Sequence, residues 1–425
     1  MRRITATRFS PGTRAHACFI MLALALVLAS APVAAAEAGA QPAAGKAPVA
    51  SVRVAFDRDA ITATQATGMA DIASGRPVSA DDPVRIASVS KLVVALGVMR
   101  LVEQGKLDLD ADVSRSLGWT LRHPKWPDVP VTLRLLLSHR SGLTDDAGYW
   151  QTPLGGRLQG LLDQPGAWDA SHAPGEYWRY SNLNFPLVAM IMEDATGERF
   201  DRLMERLVLQ PLHIAGCYNW ESCDAATAAR AVVLYSEGKP VRDDHHGRKP
   251  SCAVITEREA PCDLSQWRPG ENGALFSPQG GLRISANGLA RIGRLLLGDG
   301  SVDGVRLLSA ASVDVLLTPL WTYAPGNGLT QEEDVGPNSD PGMFCRYGLA
   351  SQTLATANPD CGDDLFGDGI ARVGHAGNAY GLLSGLWLDR EAGTGVAYFA
   401  TGVDDPEAGA HSSFNRIEEK LARGE

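Results

Sequence analysis

The chain has no basic tract. Lysine and arginine number 39 against 49 aspartates and glutamates in 425 residues, the formal net charge is -10, and the cations are scattered. A polyanion would find no electrostatic footprint, so nucleic acid is excluded and a small-molecule or peptide substrate is expected. Also missing are a Gly-x-Ser-x-Gly nucleophile elbow and a His-Glu-x-x-His zinc pair. Cysteines are few, seven in all, and none has the two-residue gap usual in zinc knuckles. No internal repeat appears. With 45% hydrophobic and 21% charged residues, the composition is ordinary for a globular protein and excludes disorder and coiled coil.

What is present begins with an export pattern. Arg2, Arg3, Arg8 and Arg14 precede the apolar run 19–30, and Ala34, Ala35 and Ala36 follow Pro32. Residues 1–36 therefore read as a signal cleaved after Ala36, with an uncleaved anchor as the alternative and no membrane span expected once the signal is removed. The expected destination is the periplasm or the exterior. Residues 37–50, rich in Ala, Gly, Gln and Pro, read as a flexible leader, and the folded domain is expected over 51–425. Six cysteines follow the signal in three close pairs: Cys217 with Cys223, Cys252 with Cys262, and Cys345 with Cys361. An even count in an exported chain suggests sequence-neighbour disulfides, against free buried thiols or a metal site.

Residues 52–56 and 60–66 suit a hairpin turned at Asp57-Arg58-Asp59. The run from Ser88 to about Gln104 is Pro-free and apolar on nearly every side, which marks a buried helix ended by Gly105. Helical stretches at 132–138, 185–196 and 199–207, separated by Pro and Gly loops, suggest a mostly helical lobe over about 110–280. A capped helix at 285–297, strands at 382–388 and 395–400, and a last helix at about 413–423 complete the pattern. The expected fold is α/β of the α+β type: an antiparallel sheet built from both ends of the chain, flanking helices, and an inserted helical lobe.

Three short motifs carry chemistry. A serine needs a neighbour that removes its proton, and residues three apart on a helix share a face, so Ser88 and Lys91 bring a hydroxyl and an amine together. Burial among Leu92, Val93, Val94 and Leu96 would favour the neutral amine, as a base requires. Ser236 and Lys239 repeat the spacing, but in a polar stretch with Gly238 inside and Pro240 after it, where no buried helix forms. Tyr180-Ser181-Asn182 is the only Tyr-x-Asn in the chain. Its phenol becomes a proton shuttle beside a cation, with Asn182 positioning a substrate amide. His375-Ala376-Gly377-Asn378 precedes a strand, where Gly377 permits close approach and a backbone N–H pairs with that of Ser88 as an oxyanion hole. His245-His246-Gly247 lies in a charged run and reads as a solvated loop, as does the acidic stretch 360–368, the weaker alternative being a metal ion at either.

Ser-x-x-Lys, Tyr-x-Asn and His-x-Gly in this order resemble the class C β-lactamase and serine D,D-peptidase superfamily. The segments 85–88, 136–143 and 277–282 resemble it too, and the likeness runs from about residue 50 onward. The resemblance implies a β-lactamase/transpeptidase-like fold with its site between sheet and helical lobe. It assigns Ser88 as nucleophile, Lys91 as base, Tyr180 as shuttle and Asn182 as a substrate contact, with the backbone N–H groups of Ser88 and Asn378 as oxyanion hole. No metal or organic cofactor is implied. Typical class C enzymes have lysine where this chain has His375, a departure that favours peptidase or esterase chemistry without excluding lactam hydrolysis. A non-catalytic relative that binds peptidoglycan or protein is the reading from another class.

Overall fold

Alternating burial of Ala50, Val52, Val54 and Phe56 makes the strand Ala50–Asp57, the first element of the computed structural model, which describes residues 47–241, 248–332, 340–404 and 407–425. The expected signal, most of the leader, and His245, His246 and Gly247 lie outside the described residues. The strand turns where expected: Asp57 Oδ1 accepts from the N–H groups of Asp59 and Ala60, both at 2.8 Å. The chain returns as Ile61–Asp71, longer than the pattern indicated.

These two strands join a nine-stranded sheet in which every neighbouring pair is antiparallel. Its order runs Trp321–Thr322, Arg346–Tyr347, Gln352–Thr353, Val373–Ala379, Leu382–Asp389, Thr394–Thr401, Ala50–Asp57, Ile61–Asp71, Arg76–Pro77. Early and late segments of the chain are thus direct neighbours, with Ala50 opposite Thr401 and Asp57 opposite Thr394.

Leu382–Asp389 is buried along its whole length because both faces of the sheet are covered. Leu386, Leu388, Ala397 and Phe399 share the main core with the helices Val89–Glu103 and Ala286–Leu297. Trp387, Val396 and Tyr398, pointing the other way, pack with Ala422 of the helix Arg416–Arg423. Gly293 lets the helix Ala286–Leu297 lie directly on the sheet: a Cβ there would sit 2.3 Å from Phe56 Cζ. Alanine in a helix gains about 1 kcal/mol over glycine, but overpacking a core costs about 1–3 kcal/mol. With a Cβ only 2.3 Å from Phe56 Cζ the cost lies in the upper part of that range, and Gly293→Ala is expected to lower stability by up to about 2 kcal/mol, seen as a lower urea midpoint. An unchanged midpoint would mean that the helix slides away freely.

The inserted lobe is less helical than its composition suggested. It has one long helix, Asn184–Thr196, and several short ones, including Leu133–Leu137 and Phe200–Met204. The last of these runs on as a π-turn over Glu205–Leu209, where a single α-helix was expected to reach Leu207. A small sheet of Val84–Arg85, Leu282–Ile284 and Gly216–Tyr218 anchors the lobe. The cysteines are joined as Cys217–Cys223, Cys252–Cys262 and Cys345–Cys361, with Cα separations of 4.9, 5.6 and 6.0 Å. Among the described residues, no helix is long and apolar enough to cross a membrane, and no group of three or more His, Cys, Asp or Glu is placed to hold a metal ion. In the acidic stretch, Asp364 accepts from the N–H groups of Gly367 and Gly369 and Asp368 pairs with Arg372.

Candidate active site

Ser88 caps the helix Val89–Glu103, directly after Ala87, whose φ of +44° is unusual for a residue with a side chain. The turn is tight: Val89, Ser90 and Lys91 donate to the carbonyls of Ile86, Ala87 and Ser88. One helical turn on, Lys91 is fully buried and its Nζ lies 2.9 Å from Ser88 Oγ. Two further acceptors hold the amine, Asn182 Oδ1 at 2.8 Å and the main-chain carbonyl of Gln279 at 2.9 Å. Burial pushes the Lys91 ammonium down to about 7, against the opposing pull of the Glu332 and Asp145 carboxylates.

This surrounding fixes how the amine, when neutral, presents its hydrogens and its lone pair. A neutral amine has two N–H bonds and one lone pair. The two carbonyl oxygens have no hydrogen to offer, so they take the N–H bonds, and the lone pair is left facing the Ser88 hydroxyl.

Asn182 is kept in that orientation by Asp145. The carboxylate accepts from Asn182 Nδ2 and N, both at 3.0 Å, from Ser181 Oγ at 3.0 Å and from the Leu183 N–H at 2.8 Å. Because Nδ2 faces a carboxylate, Oδ1 must face the amine. Asn182, expected as a substrate contact, holds the lysine through Oδ1 and is itself held by Asp145 through Nδ2.

The Tyr180 ring centroid lies 4.8 Å from Lys91 Nζ. Its hydroxyl is buried without a hydrogen-bond partner while the residue lines the cleft in front of Ser88. Burial holds the phenol well above its ordinary pKa, with the neighbouring Ser88 hydroxyl pulling the other way. Tyr180 therefore stays protonated beside an amine that is easily deprotonated near pH 7. Phe344 stacks on its ring at 5.0 Å and His139 at 4.4 Å. His139 Nδ1 accepts from the Ser181 N–H and from Asn184 Nδ2, both at 3.1 Å, so this ring is neutral and burial keeps it so.

Opposite lies the strand Val373–Ala379. It is interior at Val373 and Gly374, which pair with Thr353 and Gln352. From His375 onward its outer side has no partner strand among the described residues, and this stretch faces the cleft. Gly377 comes against the start of the serine helix: a Cβ would lie 2.5 Å from the Ile86 carbonyl, 2.6 Å from Ser384 Oγ and 3.0 Å from Ser88 N. Only glycine allows that approach. Asn378, next along, lines the cleft.

His375 is buried and neutral. Its Nδ1–H donates to the Ala376 carbonyl at 2.5 Å, which leaves Nε2 to accept from the Tyr347 hydroxyl at 2.8 Å. Burial first, and Lys91 second, push its pKa down to about 3. It offers no cation to a ligand.

The structure thus brings Ser88, Lys91, Tyr180, Asn182, His375, Gly377 and Asn378 to one cleft of about 480 Å³. It leaves Ser236 elsewhere, in a hairpin with Lys239 where Glu237 and Gly238 have positive φ. Asp145, the Gln279 carbonyl, His139 and Tyr347 were not singled out from the sequence. The motif segments 136–143 and 277–282 pointed near His139 and Gln279, but nothing marked Asp145 or Tyr347.

Comparison with known proteins bears on the whole chain. The profile of the Beta-lactamase family matches residues 35–418. Esterase EstB of Burkholderia gladioli is 31% identical over 302 residues, which cover 66% of this chain and 74% of that protein. Among solved structures, the octameric penicillin-binding protein homologue from Pyrococcus abyssi superposes with a TM-score of 0.61 at 19% identity, over 88% of this chain and 72% of that one. D-amino acid amidase from Ochrobactrum anthropi SV3 does so with a TM-score of 0.60 at 19% identity, over 89% and 93%. By the extent of the profile match and the likeness to EstB, this chain belongs to the Beta-lactamase family.

Proposed function

We propose that this protein is an exported serine hydrolase that cleaves an amide or ester through an acyl-enzyme on Ser88. What carries the reading is the set of oxygens around Lys91 Nζ, two carbonyls and the serine hydroxyl, with the amine fully buried and its pKa brought down to about 7. A protein that only bound its ligand would have no use for so costly an arrangement.

In the first half-reaction Ser88 Oγ bonds to the carbonyl carbon as its proton moves to Lys91 Nζ. The carbonyl oxygen takes up the negative charge in front of the N–H groups of Ser88 and Asn378. Collapse breaks the bond to the leaving group, which departs with the proton relayed through Tyr180. Water then attacks the ester in the same sense, its proton passes back to Ser88 Oγ, and the acid is released. Export is supported by the three disulfides, which belong to an oxidising compartment such as the periplasm or the exterior.

The test is a rapid acid quench during turnover of an aryl ester, followed by peptide mass analysis. An added acyl mass on the peptide carrying Ser88 is expected. Turnover with no adduct, or an adduct elsewhere, would overturn the reading.

Gly377 offers a second check. Gly377→Ala forces the strand away from Ile86 and Ser88 N, which spoils the placement of the oxyanion donors. The acylation rate is expected to fall by about 10²-fold, with most of the loss in kcat and little in KM. A loss confined to KM would place this strand in ground-state binding alone.

A further inference from the structure

Tyr180 is aimed by packing alone. Among the described residues no hydrogen bond fixes its oxygen, the Ser88 hydroxyl being close but not bonded to it, so the phenol sits where the rings against it allow. His139 stacks on it at 4.4 Å and is itself anchored by its bonds from Ser181 and Asn184. The other stacked ring, Phe344 at 5.0 Å, has no comparable support from a regular element. The stretch 340–345 is neither helix nor strand. The Phe344 N–H donates to the Thr330 carbonyl at 2.9 Å and the Cys345 carbonyl accepts from the Tyr323 N–H at 2.7 Å, but Thr330 and Tyr323 lie in loops too.

The residue after Phe344 carries a covalent tie. Cys345, fully buried, is joined to Cys361, and a crosslink limits the positions open to a short irregular stretch. The far end of the tie is well anchored. Gly342 and Cys361 form a parallel bridge, and the Gly362 N–H donates to the Gly342 carbonyl at 2.9 Å. Buried Asp363 accepts from the N–H and the hydroxyl of Thr356 at 2.9 and 2.8 Å, and the Gly362 carbonyl accepts from the Ser413 N–H at 2.7 Å. Cys217–Cys223 and Cys252–Cys262 lie in the inserted lobe, and no residue beside either of them in sequence lines the cleft.

Resting on the acyl-transfer reading above, we infer that Phe344 is a positioning residue for Tyr180 and that the Cys345–Cys361 crosslink keeps it in place. Without that bond Ser88 and Lys91 retain their helix, but the phenol is no longer held toward the leaving group it protonates. The defect is selective: a leaving group that departs as a stable anion is spared, and one that needs a proton is not.

The test compares, in the full chain, p-nitrophenyl butyrate, whose phenolate leaves unaided, with ethyl butyrate, whose alkoxide needs the relayed proton. Cys345→Ser with Cys361→Ser is expected to lower kcat/KM for the ethyl ester about tenfold more than for the p-nitrophenyl ester. Phe344→Ala should open the same gap with the crosslink intact, and Tyr180→Phe a wider one. Cys252→Ser with Cys262→Ser should keep the wild-type ratio. If the chain lacking Cys345 and Cys361 does not fold, dithiothreitol is applied to the folded chain lacking Cys252 and Cys262. It passes two electrons and two protons to Cys345–Cys361, leaving two thiols and becoming its own cyclic disulfide, and the same gap is expected once mass analysis of the alkylated peptides shows both thiols. If the folded chain without the crosslink keeps the wild-type ratio while Tyr180→Phe shifts it, the inference falls and the relay stands. If Tyr180→Phe leaves the ratio unchanged, Tyr180 is not the proton donor and the inference falls with it.

Discussion

Ser88→Ala is expected to lower turnover by on the order of 10⁴-fold or more and to abolish covalent labelling by a fluorophosphonate or penicillin probe. The substitution removes the hydroxyl hydrogen-bonded to Lys91 Nζ, at the cleft. Ser236→Ala is the matched control. That serine has the same spacing to a lysine, but its hydroxyl donates to Asp404 on the surface, and labelling should persist. Labelling that survives at Ser88→Ala and disappears at Ser236→Ala would reject the assignment of the nucleophile.

Lys91→Met should cost about 10³–10⁴-fold in kcat/KM, and Lys91→Arg should not restore it. A guanidinium stays charged at any working pH and cannot take the serine proton. In the wild type the sign of the pH dependence follows from which form works. The ammonium form has no lone pair and is inactive; the amine is the base. Activity should therefore rise with pH on a limb centred near 7, where burial has brought the lysine. A limb near 4 would point to a carboxylate as the base and reject this role for Lys91.

The parts of this site that were legible in the sequence are side chains held by local geometry. Ser88 and Lys91 share a helix face, and the unbroken apolar run around them announces burial. Tyr180 and Asn182 lie two apart in a turn leading into a helix. Their purpose was only half legible, because the partner that orients Asn182 is Asp145, in the short 3-10 turn Asp145–Ala147 well before it in sequence. The third acceptor on Lys91 is a backbone oxygen, and a main-chain atom leaves no signature in residue type. Tyr347 belongs to a strand of two residues, too short for any period to appear. The inserted lobe was read as mostly helical from the stretches at 132–138, 185–196 and 199–207. Much of its burial comes instead from irregular segments, where a side chain such as Trp168 donates to the Leu162 carbonyl without any repeating ladder.

The pairing of Ala50–Asp57 with Thr394–Thr401 also sets a schedule for synthesis. Ser88 and Lys91 leave the ribosome early, but the strand that walls the cleft and the one that zips up the sheet are translated near the close. Such long-range closure is slow, and a nascent chain holds an open sheet edge until it happens. No fragment ending before residue 373 carries Gly377 or Asn378, so such a fragment holds Ser88 and Lys91 without the strand that faces them.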